Sequence, residues 1–315
     1  MTDTITRSAP VDVVRCPAKV NLFLELHGKR ADGYHELSTL IATVDLFDTL
    51  EILPNSSGEI ELICDAPGVP SGPTNLVWKA AELMKRTFGV SAGVSMKLTK
   101  RIPHEAGLGG GSSDAAGAIA GLNAIWGLHR TVEELAPIAA QLGSDVPAFL
   151  TGGGWCTGRG EVVEPVVRRA APLDLLIVKP PVGCPTAQVY RRVKLDGSII
   201  DGSAMRRAWI DGSAAEVGAL LQNRLQDAAF DLQPTVRRVY DRLSDAGPLG
   251  VLLCGSGSCV LAIVPDRGFA DRLAAELDRE WASDGELAGS QTFAVRTWTA
   301  EGSIASTSPT QGSAP

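Results

Sequence analysis

The stretch Pro103-His104-Glu105-Ala106-Gly107-Leu108-Gly109-Gly110-Gly111-Ser112-Ser113-Asp114 decides how this chain is read. Four glycines fall within positions 107–111, and two serines and an aspartate then open an alanine-rich, helix-like stretch. Glycine lets the backbone take positive φ and approach a ligand with no Cβ in the way. The helix that follows offers unpaired N–H groups and the positive end of its dipole. Together these predict an anion site for the phosphates of a nucleotide. The run lacks the lysine of a P-loop and is not the GxGxxG of a dinucleotide fold. Taken alone it is better read as a tight strand–helix connection, so its weight depends on the rest of the chain.

With 315 residues the chain is long enough for one large domain or two ordinary ones. Hydrophobic residues at 44% and charged residues at 21% describe an ordinary globular protein, and 5% aromatics leave the core to Ala, Leu, Val and Ile. A net charge of −7 argues against a broad nucleic-acid or anionic-membrane surface, so a phosphate site must be local. Cys16, Cys64, Cys156, Cys184, Cys254 and Cys259 are scattered without a CxxC pair, which predicts reduced thiols rather than a zinc or disulfide framework. No apolar h-region follows the N-terminal charges and no apolar run reaches bilayer length; the expected location is the cytoplasm.

Residues 1–10 are expected to fray, and 301–315, rich in Ser, Thr, Gly, Pro and Ala, to form a disordered tail. Strands are predicted at 11–16, 20–26, 49–53, 59–63 and 93–99, with Asn55-Ser56-Ser57-Gly58 closing a hairpin. A helix spans 76–88 between Thr74-Asn75 and Gly89. The next covers 112–126, where Gly117 and Gly121 permit close packing. Thr131 and Glu134 form a capping box for a helix ending at Gly143, and Pro147 suits the first turn of a short one. Positions 152–154 and 158–160 read as turns. A junction at 168–172 divides 1–168 from 169–300. Beyond it, strands at 175–179, 251–254, 259–264 and 293–298 alternate with helices at 216–229, 234–245 and 267–281. These predict an α+β half with a mostly antiparallel sheet covered by helices on one face.

Two further segments join the glycine run. Cys16-Pro17-Ala18-Lys19-Val20-Asn21-Leu22-Phe23-Leu24 sets a lysine among apolar neighbours, costly without a partner unless its head reaches solvent. Leu252-Leu253-Cys254-Gly255-Ser256-Gly257-Ser258-Cys259-Val260 is a small-residue turn between apolar strands, either a plain hairpin or a place where a loop or ligand approaches. In this order the three segments resemble the GHMP small-molecule kinase superfamily. Arg30-Ala31-Asp32-Gly33-Tyr34-His35-Glu36-Leu37 and Gly143-Ser144-Asp145-Val146-Pro147 extend the likeness to one branch of it. That branch phosphorylates the 2-hydroxyl of a cytidine-diphosphate-linked methylerythritol in the non-mevalonate isoprenoid pathway. The resemblance runs from about Val11 to about Trp298.

The resemblance implies a two-domain α+β GHMP fold, with an N-terminal ribosomal-protein-S5-like nucleotide domain and a C-terminal ferredoxin-like domain. The active site would lie in the cleft between them. It implies ATP with Mg2+ as donor and a cytidine-diphosphate-linked alcohol as acceptor, and no obligate protein partner is evident. Asp145 reads either as the N-cap of a short helix or as the general base, and the resemblance favours the base. Lys19 would keep that carboxylate ionised, or steady the forming alkoxide or the transferring phosphate. Asn21 shares its strand face. Residues 103–113 would wrap the triphosphate, with Ser112 or Ser113 near phosphate or Mg2+, the metal being held mostly by ATP oxygens and water. Tyr34 and His35 would stack on and hydrogen-bond the cytosine, and Tyr190 would complete the sandwich. Thr186, Gly255, Ser256 and Gly257 would line the substrate side. The alternatives are a GHMP kinase for mevalonate, homoserine or a sugar, or a silent nucleotide-binding regulator. Two residues depart from the family pattern: Glu105 where a glycine is usual, and Leu261 where an aromatic is frequent.

Overall fold

Two long strands organise the N-terminal half. The structure, a computed structural model, describes residues 12–195 and 197–298, so Val11, the N-terminal end and the tail expected at 301–315 lie outside the described residues. Strand β1 (Asp12–Lys29) and strand β2 (His35–Asn55) pair antiparallel along nearly their whole length. The two short strands expected at 11–16 and 20–26 are one strand. Its register shifts at Pro17/Ala18, where proline has no N–H for the ladder and the pairing bulges instead of breaking. Before the shift, Val14 and Cys16 enter the core beneath the helices. After it, Ala18, Val20 and Leu22 enter the core shared with the C-terminal half, which turns Lys19 and Asn21 toward the glycine loop.

Next come β3 (Ile60–Cys64), α1 (Leu76–Phe88), β4 (Gly93–Thr99), α2 (Gly110–Ile125), α3 (Val132–Leu142), α4 (Val146–Leu150), β5 (Gly153–Gly158) and β6 (Val162–Glu164). Helix α1 starts where the Asn75 side chain accepts from Val77 N and stops at Gly89, whose φ is 65°. Helix α3 has both halves of its Thr131–Glu134 capping box. Helix α2 lies close on the sheet: a Cβ on Gly117 would come 2.5 Å from Cys16 Sγ, and one on Gly121 2.3 Å from Ile52 Cδ1.

The expected hairpin at 55–58 does not form. Strand β4 takes the edge of β2, and β3 pairs parallel with β4 on its far side. The turn's polar groups explain the outcome: Asn55 Nδ2 donates to Ser95 Oγ (3.0 Å), and Val94 N donates to Glu59 O (2.9 Å). The turn is thus bonded to β4 instead of closing a two-strand ladder. Gly153, Gly154 and Gly158, expected to lie in turns, belong instead to strand β5, which runs along β2 with β6 on its outer side.

The C-terminal half contains β7 (Asp174–Lys179), α5 (Thr186–Arg192), α6 (Ser203–Asp211), α7 (Ala214–Ala219), β8 (Gln222–Asn223), α8 (Gln226–Leu232), α9 (Pro234–Asp245), β9 (Gly250–Leu253), β10 (Val260–Val264), α10 (Arg267–Trp281) and β11 (Gln291–Arg296). Its sheet runs β11-β7-β10-β9, antiparallel throughout. One face packs on α5, α8, α9 and α10 around Val189, Phe230, Val239 and Leu277. The other face meets β1 and β2 of the first half. The helix expected at 216–229 is interrupted. Gln222 and Asn223 extend to pair parallel with Phe23 and Leu24, so β8 joins the sheet of the N-terminal half. The Asn223 side chain drives the break, accepting from Leu225 N and donating to Leu253 O and Gly255 O. Helices α5 and α6 had no counterpart in the reading of the sequence, although Met205 and Trp209, buried four residues apart, mark one face of α6. The junction at 168–172 is tied down: the buried Arg168 guanidinium donates to Ala171 O, Trp209 O and Gly212 O.

Candidate active site

The three segments singled out by sequence meet at one cleft of about 1120 Å³ between the halves. Lys19 N donates to Leu108 O (2.9 Å), which fastens the glycine loop to β1. Cys259 N donates to Ala106 O (3.2 Å), which fastens the same loop to the turn between β9 and β10. The loop's glycines are steric necessities at two positions. Gly107 has φ 76°, and a Cβ there would stand 2.1 Å from Cys254 O. Gly109 has φ 70°, and a Cβ would strike Phe149 Cζ at 2.9 Å and the Lys19 stem at 3.0 Å. Gly109 is also the N-cap of α2, so the helix start opens beside Lys19.

Lys19 is 4% exposed, as a charged group can be only when its partners are in place. Its Nζ donates to Asn21 Oδ1 (2.7 Å) and pairs with Asp145 Oδ2 (3.3 Å). Asn21 Nδ2 donates to Thr39 Oγ1 (2.8 Å), which donates to Phe23 O (2.6 Å). This relay fixes which way the Asn21 amide points and hence where the ammonium sits. Asp145 sits at the N-cap of α4, yet its side chain makes no capping hydrogen bond. The carboxylate turns to Lys19 and the cleft instead. Of the two uses open to an aspartate here, the side chain adopts the one directed into the site.

Asp145, Asn21, Gly107, Gly109 and Ser112 line the cleft beside Lys19. Ser113 is fully buried, with no partner for its hydroxyl among the described residues, and Ala106 and Leu108 are buried. Pro103, His104, Glu105, Gly110 and Gly111 lie around the loop without lining the cleft. Glu105 is exposed and keeps a left-handed backbone, φ 50°, with Gly183 of the other half beside its carboxylate. Leu261 is fully buried in β10.

The other end of the cleft is aromatic. His35 and Tyr190 lie 5.4 Å apart between ring centroids, tilted by 36°. Burial, with Lys29 adding, holds the His35 imidazole below its ordinary pKa, so the ring is neutral at pH 7. Burial, with Asp145 adding, pushes the Tyr190 phenol well up, so it stays a hydroxyl. Tyr34 is 55% exposed and carries the Arg159 guanidinium 5.0 Å over its ring. Thr186 Oγ1 and Ser256 Oγ are 2.9 Å apart, joining α5 to the small-residue turn. Gly255 and Ser256 line the cleft; Gly257 stands behind them against Cys184. Among the described residues no group of three His, Cys, Asp or Glu side chains gathers as a metal site.

Sequence reasoning missed Thr39, Asn223 and Arg159. Thr39 was visible only as one polar residue in an apolar run. Arg159 stood between two glycines and was passed over as a turn. Asn223 has no local signal, because its partners Leu253 and Gly255 are distant in the chain.

Comparison with known proteins agrees with this geometry. Family models described as the GHMP kinases N terminal domain and the GHMP kinases C terminal match residues 75–153 and 203–283. A 4-diphosphocytidyl-2-C-methyl-D-erythritol kinase of Pelotomaculum thermopropionicum is 42% identical over 282 residues, covering 89% of this chain and 97% of that one. A crystal structure of a 4-(cytidine 5'-diphospho)-2C-methyl-D-erythritol kinase superposes with a TM-score of 0.75 at 34% identity, covering 91% of this chain and 100% of that one. A homoserine kinase from Cytophaga hutchinsonii shares the fold, with a TM-score of 0.68 at 19% identity over 95% of this chain and 97% of that one. Among the described residues no helix is long and apolar enough to cross a membrane. The chain belongs to the GHMP kinases and, within them, to the 4-diphosphocytidyl-2-C-methyl-D-erythritol kinase family.

Proposed function

We propose that this chain transfers the γ-phosphate of ATP to the 2-hydroxyl of 4-(cytidine 5'-diphospho)-2-C-methyl-D-erythritol, giving the 2-phosphate and ADP. The observation that carries the reading is the Lys19–Asp145 pair, 3.3 Å apart at the floor of the cleft, with the Asp145 carboxylate withheld from its helix cap. Asp145 is the base: it accepts the hydroxyl proton as the oxygen attacks phosphorus. An ammonium has three donors. Asn21 and Asp145 take two of those of Lys19, and the third faces the charge that builds on the transferring phosphoryl group. The glycine loop and the start of α2 hold the triphosphate through backbone N–H groups, with the Ser112 hydroxyl toward the phosphates.

Ser112, at the edge of the cleft, would help hold Mg2+, and since among the described residues no acidic cluster gathers there, nucleotide oxygens and water would supply the remaining ligands. The metal would supply neutralisation of phosphate charge. At the other end the cytosine lies against Tyr34 and Tyr190, and neutral His35 hydrogen-bonds its edge. Thr186 and Ser256 face the sugar-alcohol side. The six unpaired cysteines, five of them buried, suit a reducing compartment, and we read the location as cytoplasmic.

The test is ADP release with Mg2+-ATP and each of three acceptors: the cytidylated methylerythritol, mevalonate and homoserine. Release with the first alone is expected. Turnover with another acceptor only would overturn the cytosine assignment of Tyr34, His35 and Tyr190, and ATP binding without turnover would favour a silent regulator.

A further inference from the structure

Behind the glycine loop lies a buried charged cluster that the phosphoryl transfer does not use. Lys100 directly follows β4, and its Nζ sits between Asp48 of β2 and Asp114 of α2, 2.5 Å from Asp114 Oδ2. The three side chains are 7%, 0% and 3% exposed. The two carboxylates are used differently. Asp48 is saturated: Oδ2 takes Lys100, and Oδ1 accepts from Arg101 N and from Ile102 N (2.9 Å), the backbone that leads into the loop. Asp114 takes Lys100 on Oδ2, while Oδ1 is buried with no partner among the described residues. Two carboxylates on one ammonium leave a surplus negative charge in a space closed to water.

The surroundings do not offset that charge. Cys16 of β1 is one titratable neighbour, its thiol pushed well up by burial and then by Asp114, and Asp65, which accepts from Lys100 N (3.0 Å), is another and is acidic. The residues that α1, α3 and α4 bury nearby, among them Val77, Ala139, Val146 and Phe149, are apolar. Burial, and secondarily Asp48, raises the Asp114 carboxyl to about 7 against the opposing pull of Lys100, so the surplus charge is partial at pH 7 and complete only above it, where ATP binding is to be measured. Asp114 begins the second turn of α2, one turn behind the helix start that the triphosphate would use.

We propose that Asp48, Lys100 and Asp114 are positioning residues that clamp the glycine loop at both ends and set its affinity for ATP, Asp48 strengthening the hold and Asp114 weakening it. This rests on the nucleotide reading of the loop. Asp48 fixes the backbone at 101–102. Asp114 ties the helix to the same ammonium while its charge competes with the phosphates. The two aspartates therefore have opposite signs in their effect on ATP, which a merely structural role would not produce.

The experiment is calorimetric titration of the full chain with Mg2+-ATP, paired with steady-state kinetics, for wild type, Asp114→Asn and Asp48→Asn. Asp114→Asn keeps an oxygen for Lys100 and removes the surplus charge; it is expected to tighten ATP binding and lower its KM about threefold. Asp48→Asn keeps one oxygen and must turn its NH2 either toward the ammonium or toward the N–H groups of Arg101 and Ile102, so one of the two holds is lost; it is expected to raise the KM for ATP about tenfold. In both, the KM for the alcohol stays within about twofold of wild type. Should Asp48→Asn not fold, Asp114→Asn decides alone. Weaker or unchanged ATP binding in Asp114→Asn, with a wild type that binds ATP normally, overturns the clamp and leaves the kinase reading standing. A wild type that binds no Mg2+-ATP overturns the nucleotide reading, and the clamp with it.

Discussion

At the phosphate end of the cleft Lys19 is 4% exposed, and its partner Asn21 is itself held through Thr39 to the β1 backbone. At the base-binding end Tyr34 is 55% exposed, and its ring is steadied by one guanidinium 5.0 Å away. The first end is organised before any ligand arrives, with the Lys19 ammonium desolvated during folding. The second is an open aromatic surface that a flat ligand can complete. Chemistry requires the first arrangement, because small errors in the placement of reacting groups are costly in rate. Recognition of a planar base tolerates the second, because stacking needs area more than fixed geometry.

That contrast can be broken at either end. Asp145→Asn is the severest test: kcat is expected to fall about a thousandfold while Mg2+-ATP binding stays near normal, and near-normal turnover would remove Asp145 as the base. Gly109→Ala comes next. Its Cβ meets Phe149 and the Lys19 stem in a left-handed backbone, so denaturant unfolding should show a loss of about 2 kcal/mol and the KM for ATP should rise. Tyr34→Ala should raise the KM for the cytidylated alcohol about tenfold and leave that for ATP unchanged; equal changes in both would end the distinction between the two ends. Glu105→Gly has the smallest expected effect. It relieves a left-handed backbone at a residue outside the cleft, for a gain of about 1 kcal/mol or less, read by thermal unfolding with kcat unaltered.

The parts of the fold that were legible are those whose signals are local. Helices α1, α9 and α10 stand where cap and periodicity put them, because Asn75, Gly89, Pro234 and Asp266 act within a turn of their own position. The hairpin at 55–58 and the helix at 216–229 were misread because the deciding partners, Ser95 and Phe23–Leu24, are remote in sequence. The same division runs through the site. Lys19, Asp145 and the glycine loop could be named because their segments, taken together and in order, carry the family resemblance; each alone left a plainer structural reading open. Thr39 and Asn223 could not, since a buried threonine or asparagine carries its meaning only in the groups it bonds.

The pairing of β8 with β1 bears on how the molecule comes into being. During synthesis β1 is made long before Gln222 and Asn223, so until then one edge of the first sheet lacks its neighbour, and Asn223 in turn waits for the carbonyls of Leu253 and Gly255 that its side chain holds. Contacts so far apart along the chain form late and slowly. The cleft should thus be the last part of the molecule to mature. Nucleotide binding during refolding would then trail the recovery of helical signal, and an N-terminal fragment ending near 168 would keep Lys19 and Asp145 but lack the turn whose Cys259 N–H fastens the glycine loop at Ala106.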